Sequence, residues 1–232
     1  MHRFTVCIPA AGSGSRMKSD APKQYLQVAG APVLFHTLVA FDAIEECRRI
    51  IIATDDREKI RAVLGNRSWR ANIDIVLGGE RRQDSVEKAL SAVENDREIV
   101  LVHDAARPCV KRNHIAGVVD AVARHGAAVL AIPARDTLKR VEAGVISETV
   151  DRAMIWQAQT PQGARAGVFR EAFTAAIRDD FAATDDVSLL ERIGVQVHVV
   201  AGSASNLKIT EPEDLLLAEA ILIERERKLE RR

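Results

Sequence analysis

Between Phe4 and Ile132 the chain alternates short apolar runs with stretches in which apolar residues return at helical spacing. Phe4-Thr5-Val6-Cys7-Ile8, Arg49-Ile50-Ile51-Ile52-Ala53, Ile73-Asp74-Ile75-Val76-Leu77, Ile99-Val100-Leu101-Val102 and Ala127 to Ile132 read as buried strands. Val33, Leu34, Phe35, Leu38, Val39 and Phe41 predict a helix with Pro32 in its first turn. Further helices are expected from near Arg57, over Val86, Ala89, Leu90 and Val93, and from Ile115 to Arg124. Thr54-Asp55-Asp56 reads as the cap of the Arg57 helix rather than as functional acids. The alternation predicts βαβ units and an α/β fold with a mostly parallel sheet. In such sheets ligands bind at the carboxyl ends of the strands.

From Asp136 the rhythm changes. Thr137 to Val150 holds two β-prone runs around Glu142-Ala143-Gly144, which predicts a hairpin whose faces carry charge and little bulk. A surface hairpin on a monomer and an arm packed on a second subunit both fit this pattern. Val168, Phe169, Ala172, Phe173, Ala176 and Ile177 then form a helical core stripe, and Thr184-Asp185-Asp186-Val187-Ser188 reads as a cap and first turn. Val195 to Val200 is the last expected strand, Gly202 to Lys208 a small-residue loop, and Pro212 to Arg231 a closing helix with a solvated end.

The strand-end loops hold the candidate chemistry. The first strand stops at Pro9, which cannot donate to a central ladder. Ala10-Ala11-Gly12-Ser13-Gly14-Ser15-Arg16-Met17 follows, with Lys23 a little further on. Small residues let backbone N–H groups approach a bulky anion, and Arg16 and Lys23 add the charge a polyphosphate needs. A plain Gly/Ser turn explains the glycines but not the two cations. The segment has no Gly-Lys-Ser/Thr, and Met17 stands where a GxGxxG fingerprint needs its third glycine. A triphosphate held there calls for Mg²⁺, bound by one or two carboxylates and phosphate oxygens. Asp104, just after a strand and His103, is the candidate ligand, with a cap of the next turn as its alternative. His103 reads as a packed strand-end residue and Arg107 as a structural tie. No Ser/His/Asp or Cys/His set is apparent, and nucleotidyl transfer needs none, because positioning and electrostatics carry it.

Composition narrows the partners. Lys+Arg and Asp+Glu both number 33 in 232 residues, so net charge gives no reason to expect nucleic acid or a membrane surface. Aromatics at 4% leave little for base-stacking platforms, and no apolar run approaches membrane-spanning length. No signal-peptide pattern precedes the first strand. Cys7, Cys47 and Cys109 fit neither a zinc pattern nor a disulfide framework, which favours a reducing cytoplasm. The length suits a single domain over residues 1–232.

Pro9-Ala10-Ala11-Gly12-Ser13-Gly14-Ser15-Arg16-Met17 followed by Pro22-Lys23-Gln24-Tyr25 resembles the signature loop of nucleotidyltransferases that make CDP- and NDP-activated small molecules. Within that group the chain is most similar to the 2-C-methyl-D-erythritol 4-phosphate cytidylyltransferase family, over nearly its whole length and with the motifs in the family's order. The resemblance implies a Rossmann-like sheet with helices on both faces, of the nucleotide-diphospho-sugar transferase type, as a single nucleotidyltransferase domain. It adds a projecting β-hairpin arm over residues 136–156, involved in dimerisation. It implies that CMP passes from CTP to methylerythritol phosphate, releasing pyrophosphate, in isoprenoid precursor synthesis. Pro9, Ala10, Ala11, Gly12, Ser13, Gly14, Gly79, Ser85 and Ala105 would meet CTP, Gly78, Gly79 and Ser85 choosing the cytosine base. Arg16, Lys23, Arg152 and Lys208 would act in catalysis, and Asp104 would contact Mg²⁺. Thr137, Arg152, Thr184 and Lys208 would hold the polyol phosphate, the first two reaching it from the other subunit of a homodimer.

Departures from the family pattern are small. Gly163-Ala164 follows Thr160-Pro161-Gln162 where an aromatic commonly sits, and Ser13 and Ser15 replace bulkier residues. The fused cyclodiphosphate synthase domain of some relatives is not expected. Ribitol-5-phosphate cytidylyltransferase resembles the same motifs and differs in the polyol pocket. A nucleotide-binding regulator without catalysis would have no need of Lys23, Asp104 and Lys208 together.

Overall fold

The structure, a computed structural model, describes residues 2–12 and 21–230. β1 (Phe4–Pro9) opens the chain, and a short hairpin of β2 (Gln27–Val28) and β3 (Ala31–Pro32) leads into α1 (Val33–Asp42). β4 (Cys47–Thr54), α2 (Arg57–Leu64), β5 (Asn72–Leu77), α3 (Arg82–Ser91) and β6 (Ile99–Val102) continue the alternation. α4 (Arg112–His125), β7 (Ala127–Pro133), β8 (Leu138–Glu142), β9 (Val145–Val150) and β10 (Trp156–Arg165) follow. α5 (Ala166–Arg178), α6 (Asp186–Arg192), β11 (His198–Ala201) and α7 (Pro212–Glu230) come last.

The main sheet runs β11-β7-β10-β6-β1-β4-β5. Its pairings are parallel except the two made by β10, which lies antiparallel between β7 and β6. Side chains alternate across each strand and so divide the core. Val6, Ile8, Ile50, Ile52 and Leu101 face α1, α2 and α4, meeting Leu38, Phe41, Ile60, Ile115 and Val119. Cys7, Ile51, Val100, Val102 and Val129 face α3, α5 and α6, meeting Leu90, Phe169, Phe173 and Leu190. Each such buried aliphatic side chain contributes on the order of 1.5–3 kcal/mol. A smaller cluster of Val28, Val33, Cys109, Ile209 and Ala218 seats α7. All three thiols are buried and unbridged, and burial pushes Cys47 up to about 12 and Cys109 up to about 11.

β10 is the strand of the main sheet that no periodic signal predicts. Gln159 to Ala164 is buried although half of it is polar, because those side chains serve as hydrogen-bond partners for neighbouring segments. Gln162 Oε1 accepts from the N–H groups of Asp186 and Val187 at 2.9 and 3.0 Å, and Gln159 Nε2 donates to Ser203 O at 3.0 Å. The pairing with β7 lapses between Ala158 and Gln162, around Pro161, which has no N–H to give. A Cβ on Gly163 would lie 2.6 Å from Leu101 Cδ2, so this chain has no room for a larger residue there.

The last strand also starts later than the apolar pattern suggests. Gly194, at φ +79°, donates to Glu191 O at 2.9 Å, and Val195 N–H to Leu190 O at 3.0 Å, a helix C-terminal motif that takes Val195 out of the sheet. The expected hairpin is present as β8 and β9, joined through Ala143 and Gly144, both at positive φ, as a two-residue hairpin turn requires. Among the described residues it pairs only with itself. It exposes Val141, Val145 and Ile146, and Trp156, expected as its last residue, already belongs to β10 and pairs with Pro133. No helix among the described residues is long and apolar enough to cross a membrane.

Candidate active site

The carboxyl ends of β1, β4, β5 and β6 are tied to one another by backbone bonds. Ala10 N–H donates to Ala53 O at 2.7 Å, Gly78 N–H to Thr54 O at 2.8 Å, and His103 N–H to Cys7 O at 3.0 Å. Gln24 Nε2 donates to Ala10 O and Gly12 O at 2.8 and 3.1 Å, pinning the start of the loop after β1. The resulting cavity, about 290 Å³, is lined by Pro9, Ala10, Ala11, Gly12, Lys23, Gly79, Ser85, Asp104, Ala105 and Lys208. Ser13, Gly14 and Arg16 lie outside the described residues. A Cβ on Gly78 would sit 2.4 Å from Ala11 Cβ, so glycine lets the loop after β5 close on the loop after β1. Ser85 Oγ accepts from Gly79 N–H at 3.0 Å and donates to Arg81 O at 3.2 Å, which shapes that loop from beneath.

Asp104 is the electrostatic centre. Oδ1 meets Arg82 Nε at 3.0 Å, and Oδ2 meets Lys208 Nζ at 3.0 Å and Arg107 Nε at 3.3 Å. Burial pushes its carboxyl up, but Arg82, Lys208 and Arg107 outweigh that and hold it well below the usual carboxylate range. Arg82 continues as a fork onto Asp186, at 3.0 and 2.7 Å. Desolvation alone would lower the Arg82 guanidinium, and Asp186 and Asp104 together hold it above its ordinary value. Arg107 Nη1 donates to Asn206 O at 2.8 Å, a structural tie as its position suggested.

His103, beside Asp104, is fully buried. Its Nε2 bonds Arg107 O at 3.2 Å and its Nδ1 bonds Thr160 Oγ1 at 3.1 Å, while that hydroxyl accepts Asp104 N–H at 3.1 Å. A carbonyl can only accept, so the pattern puts a proton on Nε2, and with the Thr160 hydroxyl donating to Nδ1 the ring is neutral. Burial lowers its pKa to about 4.

A second cavity shares Arg82, Asp104 and Lys208 with the first and adds Arg107, Gln159, Thr160, Thr184 and Asp185. Thr137 and Arg152 line neither cavity. Both are exposed, and Arg152 Nη1 donates to Arg135 O at the base of the arm.

A model of the family described as IspD, 2-C-methyl-D-erythritol 4-phosphate cytidylyltransferase, matches residues 4–224. The chain belongs to this family. Curated proteins of that name from Bacillus pumilus and Acidobacterium capsulatum are 42% and 45% identical to it over 222 and 235 residues. Those matches cover 94% and 96% of this chain and 96% and 98% of theirs. The crystal structure of the Francisella tularensis protein of that name matches with a TM-score of 0.82 at 34% identity, covering 94% of this chain and 99% of that one.

Two residues of this family member's site escaped the sequence reading. Arg82 follows another arginine in a helix's first turn, where charge reads as solvated. Asp186 looks like part of a cap, yet one acid suffices for that: Asp185 Oδ1 accepts Ser188 N–H at 3.0 Å, which leaves Asp186 over. Among the described residues no three His, Cys, Asp or Glu side chains gather as a metal cage. Asp104 and Glu80 are, among the described residues, the carboxylates lining the first cavity, and Asp104 is already engaged by cations. Such a donor set fits Mg²⁺ where a bound nucleotide's phosphates supply most of the ligands.

Proposed function

We propose that this chain transfers a cytidylyl group from CTP to 2-C-methyl-D-erythritol 4-phosphate, giving 4-diphosphocytidyl-2-C-methyl-D-erythritol and pyrophosphate for isoprenoid precursor synthesis in the cytoplasm. The observation that carries this reading is the junction of two cavities at Asp104 and Lys208, one walled by small residues and Lys23, the other by Arg107 and Thr184. A phosphate oxygen of the polyol attacks the α-phosphorus of CTP, and the bond to the β-phosphate oxygen breaks with its electron pair leaving on pyrophosphate. Lys23 offsets the charge that develops, a part the family resemblance gives to Arg16 as well, and Lys208 aims the attacking phosphate. The backbone from Pro9 to Gly14, with Gly79, Ser85 and Ala105, seats the nucleotide. Asp104, together with the nucleotide's phosphate oxygens, would hold Mg²⁺, which would supply charge neutralisation on the triphosphate.

In this reading Thr137 and Arg152 reach the polyol phosphate from a second copy of the chain. That neither lines either cavity within one chain supports this, as do the exposed Val145, Ile146 and Met154 of the arm region, which a partner surface would cover. Relatives named for methylerythritol phosphate favour it over ribitol 5-phosphate. Pyrophosphate release measured with each of four nucleoside triphosphates and both polyol phosphates tests the assignment. CTP with methylerythritol phosphate is expected to dominate. Equal or faster turnover of ribitol 5-phosphate overturns the substrate, and equal use of all four nucleotides removes the base-selecting role of the Gly79–Ser85 segment.

A further inference from the structure

Arg82 stands where the two cavities meet and lines both. It begins α3, yet the groups it holds belong elsewhere: Asp104 lies just beyond β6, and Asp186 begins α6. Its Nε is spent on Asp104 Oδ1 at 3.0 Å, and both terminal nitrogens are spent on Asp186 at 3.0 and 2.7 Å. The Asp104 and Asp186 side chains are 8% and 2% exposed, so water cannot stand in for the guanidinium. With Oδ1 taken, the rotation of the Asp104 carboxyl is set, and Oδ2 is left to Lys208 and Arg107. Thr184 lies two residues before Asp186, so whatever fixes the start of α6 also fixes Thr184 against Asp104.

We propose that Arg82 is a positioning residue that clamps Asp104 and the start of α6 to one guanidinium, holding the polyol-phosphate cavity in register with the nucleotide cavity. A lysine cannot replace it, because a single ammonium on a flexible stem lacks the planar fork that spans two carboxylates. The kinetic side of this role rests on the reaction proposed above. The clamp itself does not depend on which substrate is used.

Arg82→Lys and Asp186→Asn are the test variants, each first shown to melt within a few degrees of the wild type or assayed well below its own Tm. Amide hydrogen exchange of residues 185–190 is expected to quicken about tenfold or more, as local tethering is lost. In turnover of CTP with methylerythritol phosphate, kcat is expected to fall about 10- to 100-fold, the scale of a small misplacement of reacting groups. The Kd for CTP by calorimetry, without the polyol phosphate, is expected to move less than about threefold. The double variant should be no worse than the poorer single one, since either change opens the same clamp. Wild-type exchange at 185–190 in Arg82→Lys overturns the proposal. So does a CTP affinity that falls as far as kcat, which makes Arg82 a nucleotide ligand, or an activity loss that vanishes below the melting range. If the wild type releases no pyrophosphate from this substrate pair, the proposed reaction fails, and the exchange comparison still decides whether Arg82 clamps α6.

Discussion

His103 and Asp104 are neighbours, and the protein holds them in opposite states, one neutral and one ionised. In the unfolded chain the imidazole takes its proton near pH 6.5, whereas the buried ring resists until about 4. Between those values the unfolded state binds more protons, so stability is full above pH 6.5 and falls as pH drops toward 4. The loss is on the order of 3 kcal/mol from this group. Asp104, held low by its cations, adds a further loss as pH falls below the usual carboxylate range. Urea midpoints measured from pH 7 to 4.5 are expected to fall, and His103→Gln to flatten the slope; an unchanged slope refutes the assignment. Lys23→Ala is expected to lower kcat by roughly 10²–10³ while CTP affinity falls much less, as loss of a preorganised donor does. A variant with a raised KM for CTP and intact kcat makes Lys23 a binding residue only. Lys23 and Asp104 stood out in the sequence as charges beside small residues at strand ends, which have few structural uses, and Lys208 only through the family resemblance; all three line the first cavity. Arg82 and Asp186 were not legible, because 104 positions separate them and only the fold brings them together.

Elements tell a similar story. Helices and parallel strands announced themselves through period, since each buries one stripe or one face. β10 did not, because its buried half is Gln-Thr-Pro-Gln-Gly-Ala and its role is to satisfy the backbone of α6 and the loop after β11. Gly163 is the position where that strand has least slack, its Cβ space being filled by Leu101 Cδ2 and, at 2.9 Å, Val122 Cγ2. Gly163→Val is therefore expected to destabilise by about 1–3 kcal/mol, as overpacking does, read from urea unfolding. Gly78→Ala forces the loops after β1 and β5 apart, since its Cβ would meet that of Ala11. It is expected to weaken CTP binding about tenfold, on the scale of a displacement of binding groups, with a small change in Tm. Unaltered CTP binding in Gly78→Ala shows that the close approach is dispensable.

At the scale of the whole molecule the open question is whether one chain suffices for one site. Arg152 and Thr137 line neither the cavity that holds Lys23 nor the one that shares Lys208 with it. Mixing decides it. Arg152→Ala and Lys23→Ala, each nearly inactive alone, are allowed to exchange subunits. If sites are shared, every mixed dimer has one intact site and one with both defects, and random exchange returns activity to about a quarter of wild type. Verified exchange without recovery shows that Arg152 serves its own subunit.

The way the arm is rooted has a consequence for how such a protein can change over time. β7 leaves the sheet at Pro133 and β10 re-enters at Trp156, and these two residues are paired partners. The antiparallel return lets the arm start and finish on the edge where the nucleotide loops sit, with no crossing beneath the sheet. Apart from Thr137 and Arg152, substitutions, insertions and deletions between those two anchors can accumulate while the registers of β7 and β10 stay put. The outward faces of the arm and the grip on the nucleotide are in this sense separately heritable, and descendants are free to remake the first while selection holds the second still.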